Sequence, residues 1–170
     1  MTIYNLQFTS IKKEKPFSRR GFTLIELLVV ISIIGILAAI AIVSFTSAQK
    51  QARDASRKSD LKQYQTALEQ YANTHNGFYA SRTSAISAAD TLCSDLGITS
   101  CPEDPRFVVD SSQQYKYTSN GTGVGSSDAT KFTLWAKLEN AGSTTYWVLC
   151  SSGIVGELAS QPTAGGVCPL

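Results

Sequence analysis

Few side chains in this sequence have the type and spacing to do chemistry, and each one narrows what that chemistry is. His75 is the single histidine and sits at the end of a helix-forming stretch, where an imidazole more often caps the last carbonyls than serves as a base. Serines and threonines abound, but none is spaced with a base as a nucleophile would be. The chain therefore does not read as an enzyme, and no cofactor is expected. Cys93, Cys101, Cys150 and Cys168 form no CxxC pair and lie far in sequence from His75, which argues against zinc and for no metal. An even cysteine count in an oxidising compartment favours two disulfides, and four cysteines allow three pairings. Cys93 with Cys101 and Cys150 with Cys168 is the preferred pairing, because each closes a short local loop. The remaining feature is Glu26, a lone carboxylate near the start of a long apolar run. A charge at bilayer depth costs about 2.5–3.5 kcal/mol on insertion scales, so something must compensate for it.

That run is the first element. From Phe22 to Phe45 the only side chains that are not apolar are Thr23, Glu26, Ser32 and Ser44, with Gly35 as the one glycine. As a helix rising about 1.5 Å per residue it crosses a hydrocarbon core roughly 30 Å thick. Lys12, Lys13, Lys15, Arg19 and Arg20 precede it against Glu14 alone, so residues 1–21 carry +4 of a net charge of only +2. The positive-inside rule keeps those residues cytoplasmic and sends the C-terminal part, with all four cysteines, across the membrane. The exported part is then near −2, which leaves no basis for a charge-driven nucleic-acid interaction.

The helix is expected to continue well beyond the membrane. No proline occurs between Pro16 and Pro102 and no glycine between Gly35 and Gly77, and the stretch after Ser47 is rich in helix formers. Asp54 and Lys58 are spaced as a favourable i to i+4 pair. Leu61, Tyr64, Leu68, Tyr71 and Ala72 fall within an arc of roughly 100°, giving the second half an apolar stripe. His75–Gly77 reads as its stop, with Asn76 or Gly77 in the left-handed conformation. Four segments follow: a basic leader at 1–21, a membrane and assembly helix at 22–45, its amphipathic continuation at 46–77, and a head at 78–170.

Within the head, a short helix is expected around Ile86–Leu96 and a turn at Cys101–Pro105. Strand signals occur at Tyr115–Thr118, in the alternating stretch Lys131–Glu139, and in the stretch 144–153 after an Asn140–Ser143 turn. Alternation puts Phe132, Leu134, Ala136 and Leu138 on one face of the second strand and Thr133, Trp135, Lys137 and Glu139 on the other. Ser119–Thr130 reads as a flexible connection, and its glycines match no nucleotide loop. Trp135 and Trp147 are assigned to packing. The fold class is α+β, a long N-terminal helix whose second half packs on a small antiparallel sheet.

With these elements in place, "RRGFTLIELLVVISIIGILAAIAI" resembles the N-terminal signature of type IV pilins and of type II secretion pseudopilins. The resemblance covers about 40 residues in detail and the rest of the chain only in pattern. It implies that a prepilin peptidase cuts between Gly21 and Phe22 and methylates the new amino group of Phe22. Glu26 would then pair, during assembly, with the positive N-terminus of a neighbouring subunit's Phe22, two charges costly in lipid becoming one pair that favours a single register. Contact of Glu26 with its own N-terminus is the simpler alternative. Members of the family often carry a proline where this chain has Val43, so Gly35 is left as the weak point of the helix.

The stretch from Asp104 to Tyr117 with its following strand is also similar to the sheet region of major pseudopilins, some of which bind calcium. Asp104, Asp110 and Asp128 match no calcium-loop spacing and read as solvated carboxylates. The Cys150–Cys168 segment is similar in placement to the C-terminal disulfide loop of many pilins. The resemblance implies a structural subunit of a type IV pilus-like filament, held in the cytoplasmic membrane by one span with its head exported, then extracted into an extracellular or periplasmic filament. Its partners would be further pilin subunits, the peptidase, the membrane and a pilus or secretion assembly platform. The alternatives are a pseudopilin and, in a different class, an exported monomeric binding domain released by signal peptidase after Ala39–Ile40–Ala41.

Overall fold

The computed structural model describes residues 21–139 and 144–170; the basic leader through Arg20 and the Asn140–Ser143 turn lie outside them. The chain divides into two compact units, one up to Ala41 and one from Ile42 to Leu170. Helix α1, Leu24–Thr74, begins in the first and ends in the second.

Among the described residues of the first unit, nothing packs against α1. Its apolar side chains are open on all sides, from Leu24 at 88% exposure to Ile40 at 64%. A helix apolar all round needs cover from lipid or from other helices. By length and composition it is the one helix among the described residues able to span a membrane.

In the second unit the expected stripe is the contact face. Leu61, Tyr64, Leu68 and Ala72 are buried, and the first three pack with Leu92, Tyr115, Tyr117, Phe132, Leu134 and Leu149, with half-buried Tyr71 against the same cluster. The helix stops as its sequence suggests, three residues earlier than Gly77. Asn76 takes the left-handed conformation at φ 57°, and the Gly77 N–H closes back on the Ala72 carbonyl at 2.8 Å. That six-to-one closure is the Schellman arrangement, here with asparagine in the usual glycine position.

Strands β1 (Tyr79–Ala80), β2 (Ile86–Ser87), β3 (Lys116–Ser119), β4 (Ser127–Ala129), β5 (Phe132–Leu138), β6 (Thr145–Cys150) and β7 (Val155–Leu158) form two antiparallel sheets. The larger has the order β2-β3-β5-β6-β7, and the smaller pairs β1 with β4. The fold is α+β, with more strands than the three read from sequence. Ile86–Leu96 holds β2, a π-helical turn at Ala88–Leu92 and helix α2 (Cys93–Asp95) rather than one helix.

Two further expectations are corrected. The stretch 119–130 is not merely a flexible connection, because it contains β4 and folds back on Ser81, whose hydroxyl accepts from the Gly123 N–H at 2.7 Å. Gly121 in it has φ 99°, and a Cβ there would fall 2.5 Å from the Ser81 oxygen. Nor does Asp54 pair with Lys58. It accepts from Arg57 at 2.7 Å, while Lys58 reaches Glu157 at 3.2 Å and lies over the Trp147 ring. A buried guanidinium offers a drier and better aligned donor than a lysine on a solvated face.

The second face of β5 is covered as well. Trp135, Val148 and Cys150 form a smaller cluster under Cys168, and Gly165 donates to the Thr118 hydroxyl at 3.0 Å. Trp147, one position along β6 from Val148, belongs to the helix side instead. The disulfides are Cys93–Cys101 and Cys150–Cys168. The second closes the C-terminal segment over the sheet, and a loop of about 15 residues is worth roughly 3 kcal/mol in the chain-entropy account.

Arg57 is wholly buried at the junction of α1, the Cys101–Pro105 segment and the end of β5. It holds Asp104 through two bonds, at 2.6 and 2.9 Å, along with Asp54 and Glu139. Arg53 adds a second fork on Glu139, at 2.9 and 2.6 Å. These hydrogen bonds from Arg53, joined by Arg57 and opposed by burial, hold the Glu139 carboxyl down to about 2 from the usual 4.5. The unfolded chain therefore takes up this proton first as pH falls. The contribution is complete above about pH 4.5 and is lost toward pH 2, amounting to roughly 3 kcal/mol at most. Melting temperature of the full chain in detergent should fall steeply through that window, and Glu139→Gln should remove much of the slope. An unchanged acid profile in the variant would refute the assignment.

Candidate functional site

The candidate site lies where α1 begins. Gly21, Phe22 and Thr23 are not helical, and the helix starts at Leu24. Thr23 occupies the N-cap position and Glu26 the third helical position. The Glu26 carboxylate accepts the Thr23 backbone N–H at 2.8 Å and the Thr23 hydroxyl at 2.7 Å, while the Glu26 N–H donates to that hydroxyl oxygen at 3.3 Å. This reciprocal capping box satisfies helix-start donors that water cannot reach inside a bilayer. It also fixes the boundary of the helix, so that Gly21 and Phe22 stay outside it.

Sequence reasoning did not assign Thr23 a role. The signal was present, since Thr23-Leu24-Ile25-Glu26 has the spacing of a capping box before an apolar run. The alternative of Glu26 on its own N-terminus takes a modified form here: the carboxylate is engaged within its own helix, one residue short of Phe22.

Gly21 makes no internal demand for glycine. A Cβ built on it meets nothing within 4 Å. Any requirement for glycine at this position must come from a molecule that binds the segment. Phe22 is 85% exposed. Further along, the small residues Gly35, Ala38 and Ala39 stand at i, i+3 and i+4 and so share one helix face, with Ala41 off that face.

The other candidates are dispersed. His75 donates from Nδ1 to the Tyr71 carbonyl at 2.8 Å and stacks on the Tyr71 ring, a capping position. Asp104 is held by Arg57, Asp110 caps Ser112, and Asp128 accepts from the Thr122 N–H. Among the described residues no three acidic, histidine or cysteine side chains are grouped to hold a metal.

Residues 16–42 match the family model for the prokaryotic N-terminal methylation motif. The chain is 35% identical over 98 residues to the type IV wide pilus major component of Thermus thermophilus, covering 58% of this chain and 69% of that protein. It is 50% identical over 52 residues to the type IV major pilin protein of Myxococcus xanthus, covering 31% of this chain but only 24% of that longer protein. It is 45% identical over 51 residues to the type II secretion system core protein G of Pseudomonas aeruginosa, or 30% of this chain and 36% of that protein. No solved structure matches the chain.

Proposed function

From the premise that this chain belongs to the type IV pilin family, we propose that it is a structural subunit of a type IV pilus-like filament. Prepilin peptidase cuts it between Gly21 and Phe22 and methylates the new amine, and the apolar part of α1 then polymerises with other subunits. The observation that carries this reading is the first unit of the fold: an apolar helix exposed on every side, capped so that the Gly21–Phe22 bond lies outside it. A protease needs an unwound peptide, and the Thr23–Glu26 cap keeps the helix from extending over the bond. Before assembly, lipid covers the helix and the head lies across the membrane. In the filament, other helices replace the lipid, with Gly35, Ala38 and Ala39 at close approaches. Its role is scaffolding rather than catalysis.

The pilus reading is favoured over the secretion reading by the extent of similarity, 98 residues against 51. Release by signal peptidase near Ala41 has less support, because α1 runs without interruption through Ala39–Ile42.

Intact mass and N-terminal mapping of protein from native membranes or a sheared surface fraction test the proposal. A chain beginning at methylated Phe22 is the expected result, whereas a start near Ile42 means release as a soluble domain. Gly21→Leu should leave the leader attached in nearly all molecules without altering the melting of the head, since the added side chain meets nothing in the chain itself. Normal processing of that variant would remove the peptidase assignment.

A further inference from the structure

One buried polar atom of the head is left over. Gln113 is 6% exposed, and among the described residues its Oε1 is the buried side-chain oxygen with no partner. Turning the amide does not mend this, because its Nε2 faces the Asp110 carboxylate at 3.4 Å and an oxygen there would meet like charge. Gln113 lines a small opening with Asp90, Glu103 and Phe107, about 10 Å³ in size and so room for one water-sized donor group. The surroundings favour a cation as that donor. The Tyr64 hydroxyl, which donates to the adjoining Pro102 carbonyl at 2.6 Å, is held above the usual phenol range by burial first and then by Asp60, Glu103 and Asp90. Arg106 and Lys116 on the same side are engaged, with Glu139 at 3.5 Å and the Gln114 amide at 2.8 Å, whereas the Glu103 carboxylate is exposed.

Beside the opening stands an apolar knob. Val108 and Val109, just after Phe107, are 94% and 79% exposed, more than any other large apolar residue of the head. Their turn is tied down. Asp104 accepts the Arg106 N–H at 2.8 Å, and the Arg106 carbonyl accepts from the Val109 and Asp110 N–H groups at 2.9 and 2.8 Å. Apolar side chains fixed in the open are stabilised by a partner that covers them.

The head carries a complementary surface at its other edge. Trp147, Leu149 and Val155 line an open groove of about 590 Å³ together with Lys58 and Lys62 of α1. Lys58 is held over the Trp147 ring and on Glu157, whereas exposed Lys62 donates to the neutral Gln65 amide at 2.7 Å rather than to a carboxylate. The groove belongs to β6 and β7, and the opening to Ser87 of β2 and the π-helical turn after it, so the two lie toward opposite ends of the order β2-β3-β5-β6-β7. A knob at one edge and a matching groove at the other make a contact between unlike surfaces of two copies. Such a contact leaves one of each surface free at every step and therefore propagates.

We propose that the Val108–Val109 knob of one subunit seats in the Trp147–Val155 groove of a second copy of the chain, whose Lys62 reaches Glu103 and the Gln113 oxygen of the first. This rests on the reading of the chain as a filament subunit, and it gives the head a contact of its own, apart from the one among N-terminal helices. Because Lys62 and Glu103 are exposed before it forms, the contact weakens as salt rises.

The test uses sheared filaments of the full chain treated with a water-soluble carbodiimide, which joins a carboxylate directly to a touching amine as an amide. Peptide mapping of the dimer-sized product should recover Glu103 linked to Lys62. Glu103→Lys and Lys62→Glu should each cut filament yield about tenfold, since each sets like charges face to face, and the double variant should recover it to within about twofold. Melting of the head should match the parent in all three, both side chains being exposed. Absence of the Glu103–Lys62 link, a single reversal that assembles as the parent does, or a double variant no better than the singles overturns the contact. A parent chain that yields no sheared filament removes the filament reading itself and this contact with it, whereas parent filaments without the link count against the contact alone.

Discussion

Glu26→Ala should leave the chain inserted in the membrane and cut after Gly21, yet reduce sheared filament by more than about tenfold, the factor that each 1.4 kcal/mol lost at a subunit contact imposes. The expectation follows from the proposed pairing of Glu26 with the Phe22 amine of a neighbour, since alanine leaves that amine buried among apolar helices with no partner. Alanine also destroys the capping box, which alone is worth about 1 kcal/mol. Glu26→Gln separates the two roles. Glutamine can still accept from the Thr23 N–H and keep the cap, but it carries no charge. If charge pairing drives assembly, Glu26→Gln fails to form filaments although the helix starts normally. If the glutamine variant assembles as the parent does, the cap is the working part and the pairing role must be given up. Thr23→Ala is the complementary change, and its effect on filament yield should be smaller than that of Glu26→Gln.

Arg57→Ala is expected to be the most damaging single change in the head. It strands Asp54, Asp104 and Glu139 around a buried gap, and breaking a buried ionic cluster from one side costs about 3–5 kcal/mol. For a head of this size that corresponds to a fall of roughly 10–20 °C in melting temperature. The near-ultraviolet signal of buried Trp135, followed on heating the full chain in detergent, reads it directly. Arg57→Lys should restore only part of the loss, because an ammonium cannot fork onto Asp104 while also reaching Asp54 and Glu139. A shift of less than about 2 °C for the alanine variant would show that water repays the carboxylates and that the cluster adds little.

The two changes bear on different steps. The first is expected to remove the proposed contact between subunits and leave each head folded, while the second is expected to weaken the head and leave the N-terminal helix unaltered. Loss of filaments with a normal melt, or a lowered melt with cleavage intact, tells them apart.

The apolar run and the stripe from Leu61 to Ala72 were legible because each is a statement about neighbours along the chain. A helix brings together residues three and four apart, so periodicity and caps are written locally. The Thr23–Glu26 cap is equally local, since its hydrogen bonds span only three residues. The alternation in Phe132–Leu138 likewise set which face of β5 meets α1. What the linear order could not supply was partners distant in sequence. Arg57 lies 47 residues from Asp104, and Arg53 lies 86 from Glu139, so the i to i+4 rule offered Lys58 to Asp54 and missed the buried cluster. For the same reason Ser119–Thr130 read as a bare connection, because β4 exists only through pairing with β1. Three cysteine pairings were open until folding brought Cys93 to Cys101 and Cys150 to Cys168. Sequence by itself determined the membrane-competent helix, its amphipathic continuation and the α+β class, through composition and period. Tertiary structure alone decided which buried charges are matched, what covers the second face of the sheet and which valines remain in the open, because each depends on the dry surroundings that only the assembled head creates.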